Sequence, residues 1–116
     1  MAQTILVVED DADIAESVRD FLECAGYIVQ VAANGRDAID LLERGEPPDV
    51  ILMDLLMPIM DGIELLAELA RRPALAAIPA IVMSAASTVA APPGIAVIHK
   101  PFGIATLFDA VRHACA

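Results

Sequence analysis

The chain is 116 residues long, 58% of them hydrophobic, with 7 basic against 17 acidic side chains and a net charge of -10. So negative a surface repels nucleic-acid phosphates and anionic membranes and argues against direct nucleic acid binding, and no apolar run approaches the ~20 residues of a membrane span. A chain of this size buries roughly two-thirds of its unfolded surface, so it folds without a disulfide or a structural metal.

The N-terminus, "MAQTILVVEDD", has no basic region before it meets acid, so no signal peptide is expected. Cys24 and Cys115 lie far apart and form no metal-ligand pattern, as expected of reduced thiols in a cytoplasmic protein. With no linker, repeat or low-complexity tract, residues 1–116 read as one domain.

In chain order, "TILVV" (4–8) is an apolar, β-branched run of strand length. "DADIAESVRDFLECAG" carries Ile14, Val18, Phe21, Leu22 and Ala25 at helical spacing, with Asp11 or Asp13 as cap and Gly26 as stop. "YIVQVA" (27–32) is strand two. "NGRDAIDLLERG" (34–45) is a helix capped by Asn34, with Ala38, Ile39 and Leu42 on its apolar side and Gly45 at its end. "PPDVILMD" is strand three and "DGIELLAELARR" (61–72) helix three, which Pro73 ends. "IPAIVMS" (78–84) and "GIAVIHK" (94–100) are strands four and five. "PFGIATLFDAVRHACA" closes the chain as a helix with Ile104, Leu107, Phe108 and Val111 inward.

Strands alternate with helices, and most strands are continuous apolar runs, as when both faces are covered. The expectation is an α/β, doubly wound, five-stranded parallel sheet with right-handed crossovers and helices on both faces. One segment breaks the rhythm. "SAASTVAAPPG" (84–94) stands where a fourth helix belongs, and Pro92-Pro93-Gly94 cannot lie inside one. That helix is expected to be shortened or irregular.

Ligands of open α/β sheets bind beyond the carboxyl ends of the strands. Those ends here carry Glu9-Asp10-Asp11, Asp54, Ser84 and Lys100-Pro101. Taken singly, each residue reads as a cap or a solvated surface group, and His99 and His113 read as structural or surface residues. Taken together, they assign separate tasks. Crowded carboxylates repel, so at least one is expected to have a raised pKa unless a cation neutralises them, and an oxygen-only ligand set suits Mg2+. A carboxylate beside such an ion can act as a nucleophile toward phosphorus. A hydroxyl at Ser84 and an ammonium at Lys100 can each engage a phosphoryl oxygen.

These residues resemble the receiver domains of two-component response regulators. "ILVVEDD", "DVILMDLLMPIMDG", "IVMSA" and "HKPF" occur in the family's order, at close to its spacing and over essentially the whole chain. The resemblance implies the flavodoxin-like strand order 2-1-3-4-5. It implies that Asp54 accepts a phosphoryl group from a histidine kinase or a histidine phosphotransfer protein. Glu9, Asp10, Asp54 and the backbone carbonyl of Leu56 then hold Mg2+. Ser84 and Lys100 contact the phosphoryl group, with a cis bond before Pro101 aiming Lys100 inward.

Such a protein is a signalling switch that promotes its own phosphorylation and dephosphorylation, not a conventional enzyme. Kinase recognition is expected around helix one, at Ala15, Val18, Arg19 and Leu22. The output partner or output domain is open.

Three departures from the family pattern stand out. Val97 occupies the place of an aromatic switch residue. The span from Ser84 to Lys100 is shorter than usual, so output is expected through a different surface or a reordered loop 85–94. Leu56 and Ala86 are apolar where polar residues often tune hydrolysis, so a long-lived phosphoryl group is expected. Other functions fit the residues less well. A degenerate receiver acting as a constitutive docking module gains from Val97 and loses to the intact acid, hydroxyl and lysine set. An aspartate-nucleophile phosphatase places its D-x-D motif after strand one, whereas the reactive acid here follows strand three. No G-x-G-x-x-G or Walker lysine loop is present to bind a nucleotide.

Overall fold

The computed structural model describes residues 2–85 and 95–115. Its elements are β1 (Thr4–Val8), α1 (Ala12–Cys24), β2 (Ile28–Ala32), α2 (Gly35–Arg44), β3 (Val50–Asp54), α3 (Gly62–Ala70), β4 (Ala80–Ser84), β5 (Ala96–His99) and α4 (Ile104–Cys115). The strands form one parallel sheet in the order β2-β1-β3-β4-β5, as expected. The expected irregular helix before strand five and the hydrolysis position Ala86 fall in residues 86–94, outside the described residues.

Burial explains the run-like strand sequences. Every residue of β3 and β4, and all but the first of β1, is buried, because these strands are covered on both faces. Successive side chains point to opposite faces. Leu6, Val8, Ile51, Met53 and Val82 pack with Ala38, Leu42, Leu65 and Leu69 of α2 and α3. Ile5, Val7, Leu52, Ile81 and Met83 pack with Val18, Leu22, Leu107 and Val111 of α1 and α4. The edge strands β2 and β5 are only partly buried.

Local chemistry sets the helix ends. Asp11, not Asp13, caps α1, accepting from the Asp13 and Ile14 amides. Gly26 follows the helix at φ 97°, a conformation that costs glycine little. Asn34 caps α2 by accepting from the Asp37 amide. Asp61 and Glu64 form a reciprocal capping box on α3. That helix ends at Ala70 and not at residue 72, since the residue before Pro73 is steered away from helical backbone.

Two expectations about faces need correction. Phe21 and Ile104 are substantially exposed and Ala25 is exposed, not inward. The stripe that reaches the sheet is Ala15, Val18 and Leu22 on α1, and Leu107 and Val111 on α4. Three of the four residues expected to meet a kinase are therefore core. Positions 15, 18 and 22 repeat at helical spacing, which defines the buried stripe. Arg19 is exposed and pairs with Glu23 at 3.6 Å.

Candidate functional site

The parallel register delivers the site. Val8 lies beside Met53, Asp54 beside Met83, and Ser84 beside His99, so the residues that follow the strands gather along one edge. The three consecutive acids after β1 then divide their tasks. Glu9 is buried and inward, held by a backbone bond from its amide to the Ala32 carbonyl (3.0 Å). Asp10 is exposed at the mouth. Asp11 turns away to start α1.

Lys100 reaches in from the end of β5. Its Nζ donates to Glu9 Oε1 at 3.0 Å and to Asp54 Oδ2 at 3.1 Å. The Lys100–Pro101 bond is cis. The Lys100 amide donates to the Ser84 carbonyl (2.7 Å), tying the ends of β4 and β5 together. Ser84 is buried beside this edge. Leu56 lies two residues beyond Asp54 and is 70% exposed. Val97 is half-buried against the core shared with α2 and α3. His99 and His113 are both exposed.

Carboxylate oxygens of Glu9, Asp10 and Asp54 lie within 4.8 Å of one another. Burial, the largest influence, pushes Glu9 up to about 7, with the nearby Asp54 adding to the rise and hydrogen bonds from Lys100 and the Asp11 amide opposing it. Burial alone would lower the Lys100 ammonium, but its bonds to Glu9 and Asp54 outweigh this and raise it. The cluster is thus a set of hard oxygen donors with one buried carboxyl whose charge is poorly compensated. Such a set fits a small divalent cation.

The loop from Asp54 to Gly62 is folded tightly. The Leu55 amide donates to the Met83 carbonyl (3.0 Å), and the Gly62 amide donates back to the Leu55 carbonyl (2.9 Å). A Cβ on Gly62 would stand 2.7 Å from the Asp54 carbonyl oxygen and 3.0 Å from Leu55 Cα. Glycine there lets the start of α3 close onto the end of β3. Helical spacing gives Gly62 no role; an Asp-Gly pair soon after a strand tip is the available signal. Between them the Met60 amide bonds to the Pro58 carbonyl (2.7 Å) across Ile59, whose φ is 69°. That tight three-residue turn is strained for a β-branched residue. Ile59 is 77% exposed, so little packing is at stake. Ile59→Asn is expected to stabilise the fold by about 1 kcal/mol, read as a higher urea midpoint at unchanged slope. An unchanged or lower midpoint contradicts the strain.

A response regulator receiver domain model matches residues 5–112. This chain belongs to the response regulator receiver domains. Such domains are signalling switches that pair with histidine kinases and phosphotransfer proteins. This receiver domain is 44% identical over 81 residues to an uncharacterized 14.6 kDa protein of Leptolyngbya boryana, a match covering 70% of the chain and 61% of that protein. It is 42% identical over 69 residues to the response regulator MprA of Mycolicibacterium vanbaalenii, covering 60% of the chain but 29% of MprA. The match to each of these curated relatives spans less than two-thirds of that relative's length.

Among solved structures, the signal receiver domain of a signal transduction histidine kinase from Syntrophus aciditrophicus superposes with a TM-score of 0.86 at 34% identity, over 98% of this chain and 90% of that one. The chemotaxis response regulator CheY4 of Vibrio cholerae gives 0.89 at 25% identity, over 98% and 99%. Among the described residues, no helix of this receiver domain is long and apolar enough to cross a membrane.

Proposed function

We propose that residues 1–116 act as one receiver domain that takes a phosphoryl group on Asp54 from a phosphohistidine donor, a histidine kinase or a histidine phosphotransfer protein. The observation that carries this reading is the convergence of Glu9, Asp10, Asp54 and Lys100 at one sheet edge. In this reading an Asp54 carboxylate oxygen forms a bond to phosphorus while the bond from phosphorus to the donor nitrogen breaks and the imidazole leaves. Glu9, Asp10, Asp54 and the Leu56 carbonyl would hold Mg2+. When bound, the ion supplies neutralisation of charge on the phosphoryl oxygens.

Lys100 already spans Glu9 and Asp54, so it is placed to exchange Asp54 for a phosphoryl oxygen, and Ser84 supplies a hydroxyl from the next strand end. The new charge on Asp54 then shifts nearby packing between two arrangements. Val97 has no ring to swing, so output runs through another surface. The reordered-loop version of that output concerns residues outside those described. Phe21 and Ile104 border a shallow groove between α1 and α4, the surface assigned to the phosphodonor. A cytoplasmic location belongs to the same reading, supported by the free Cys24 and Cys115. Constitutive docking is not favoured, because it leaves the buried carboxyl and lysine set without a task.

The test is phosphoramidate, whose phosphorus–nitrogen bond mimics phosphohistidine, supplied with Mg2+. The expected product is an acyl phosphate, labile to neutral hydroxylamine and lost in Asp54→Ala. A hydroxylamine-stable phosphoryl group, or none, contradicts the reading. Leu56 gives an attacking water no polar partner, so the acyl phosphate is expected to be long-lived and Leu56→Asn to shorten its lifetime severalfold. An unchanged lifetime in that variant removes Leu56 as a cause.

A further inference from the structure

The loop that carries the Leu56 carbonyl is tied down at a point the family reading does not use. The first residue of α2, Gly35, donates its amide to the Met60 carbonyl at 3.1 Å. That amide is one of the orphan donors of a helix start. Asn34 satisfies the Asp37 amide, and the loop beside Asp54 satisfies Gly35. The approach is close enough to exclude any side chain. A Cβ on Gly35 would stand 2.7 Å from Met60 Cγ, 2.9 Å from the Met60 carbonyl oxygen and 2.9 Å from Met60 Sδ. One of those neighbours is backbone and cannot rotate away.

We infer that Gly35 is a positioning residue for the cation site. Resting on the proposed Mg2+ reading, this adds a residue on α2 that touches neither the ion nor the phosphoryl group and acts through the Met60 carbonyl. The loop is held at its start by the Leu55 bond to Met83, at its end by Gly62 against Asp54, and on its outer side by Gly35. Met57 and Met60 pack partly against the core beneath α2. With these points fixed, the intervening backbone at Leu56 has little freedom. Mg2+ demands near-ideal octahedral geometry, so a shift of a few tenths of an ångström at the loop costs affinity even though no ligand is removed.

The test is Mg2+ titration calorimetry on wild type, Gly35→Ala, and Val111→Ala, the last weakening the opposite core under α4. At a temperature where all three are folded, Gly35→Ala is expected to bind Mg2+ at least fivefold more weakly, and Val111→Ala within twofold of wild type. Equal affinity in folded Gly35→Ala, or an equal loss in Val111→Ala, overturns the inference and leaves Gly35 a packing residue. A wild type that binds no Mg2+ overturns the underlying site reading instead.

A second measurement needs no variant. Coupling is reciprocal, so if Gly35 steadies the cation site, Mg2+ must steady the Gly35 bond. Saturating Mg2+ is expected to slow amide exchange at Gly35 at least threefold more than at Asp37, whose amide is held by the cap of the same helix. Equal slowing at both overturns the inference, even if Gly35→Ala fails to fold.

Discussion

Lys100→Met is expected to lower the stability of the metal-free protein by about 3 kcal/mol at neutral pH, because removing one partner of a buried pair leaves the other uncompensated. The Glu9 side chain is 1% exposed and that of Asp54 12%, and Lys100 Nζ bridges them. Its loss leaves Glu9 and Asp54 facing each other with no cation between them. Exposed ion pairs are worth far less, so the Arg19–Glu23 pair makes the natural control. The loss is expected to shrink on acidification, since a Glu9 freed of Lys100 protonates even more readily. It is also expected to shrink with Mg2+, which binds only the folded site. Urea unfolding at several pH values, with and without Mg2+, reads all three effects. A loss no larger than that of an exposed pair, indifferent to pH and Mg2+, contradicts the account of the site.

The second large effect is on Mg2+ itself. Glu9 is raised to about 7, mainly by burial, and a metal must displace the proton to use that oxygen. Apparent Mg2+ affinity is therefore expected to climb about tenfold per pH unit up to about pH 7 and to level off above it. Glu9→Gln is expected to bind more weakly and to lose that slope.

Stability of the metal-free protein runs in the opposite sense. An acid whose folded value lies above its unfolded one holds its proton more tightly when folded. Its contribution is full below its unfolded value of 4.5 and disappears as pH rises through about 7. Added Mg2+ should cancel much of that decline. Calorimetric titrations across this range check the slope, and a flat profile in the wild type contradicts the raised carboxyl.

How much of this was legible in the sequence depends on what each residue type can signal. The sheet was legible because β1, β3 and β4 are covered on both faces, which forces continuous apolar runs, and because Asp11, Asn34 and Asp61 are caps with recognisable neighbours. The acids, Ser84 and Lys100 were legible because they follow strands, and strand ends of a parallel sheet share one edge. The kinase-facing residues were misread because Ala15, Val18 and Leu22 are apolar at helical spacing, a pattern that by itself marks the core. Phe21 and Ile104 were misread for the converse reason, since an apolar side chain at a stripe's margin looks like part of it. The roles of Gly35 and Gly62 were hidden because a close backbone approach leaves no periodicity, and the turn at Ile59 because isoleucine is a poor marker for positive φ. A raised carboxyl was legible from the crowding of the acids, but that Glu9 carries it, and that burial outweighs the repulsion from Asp54, rests on the fold.

The most direct test of the central claim, that Asp54 is the phosphoryl acceptor, is intact-mass spectrometry after incubation with acetyl phosphate and Mg2+, run on wild type and on Asp54→Ala. A gain of one phosphoryl group is expected in the wild type and none in the variant. Gain of a phosphoryl group by Asp54→Ala, or by neither protein while the wild type binds Mg2+ and a phosphohistidine donor is also present, would contradict it.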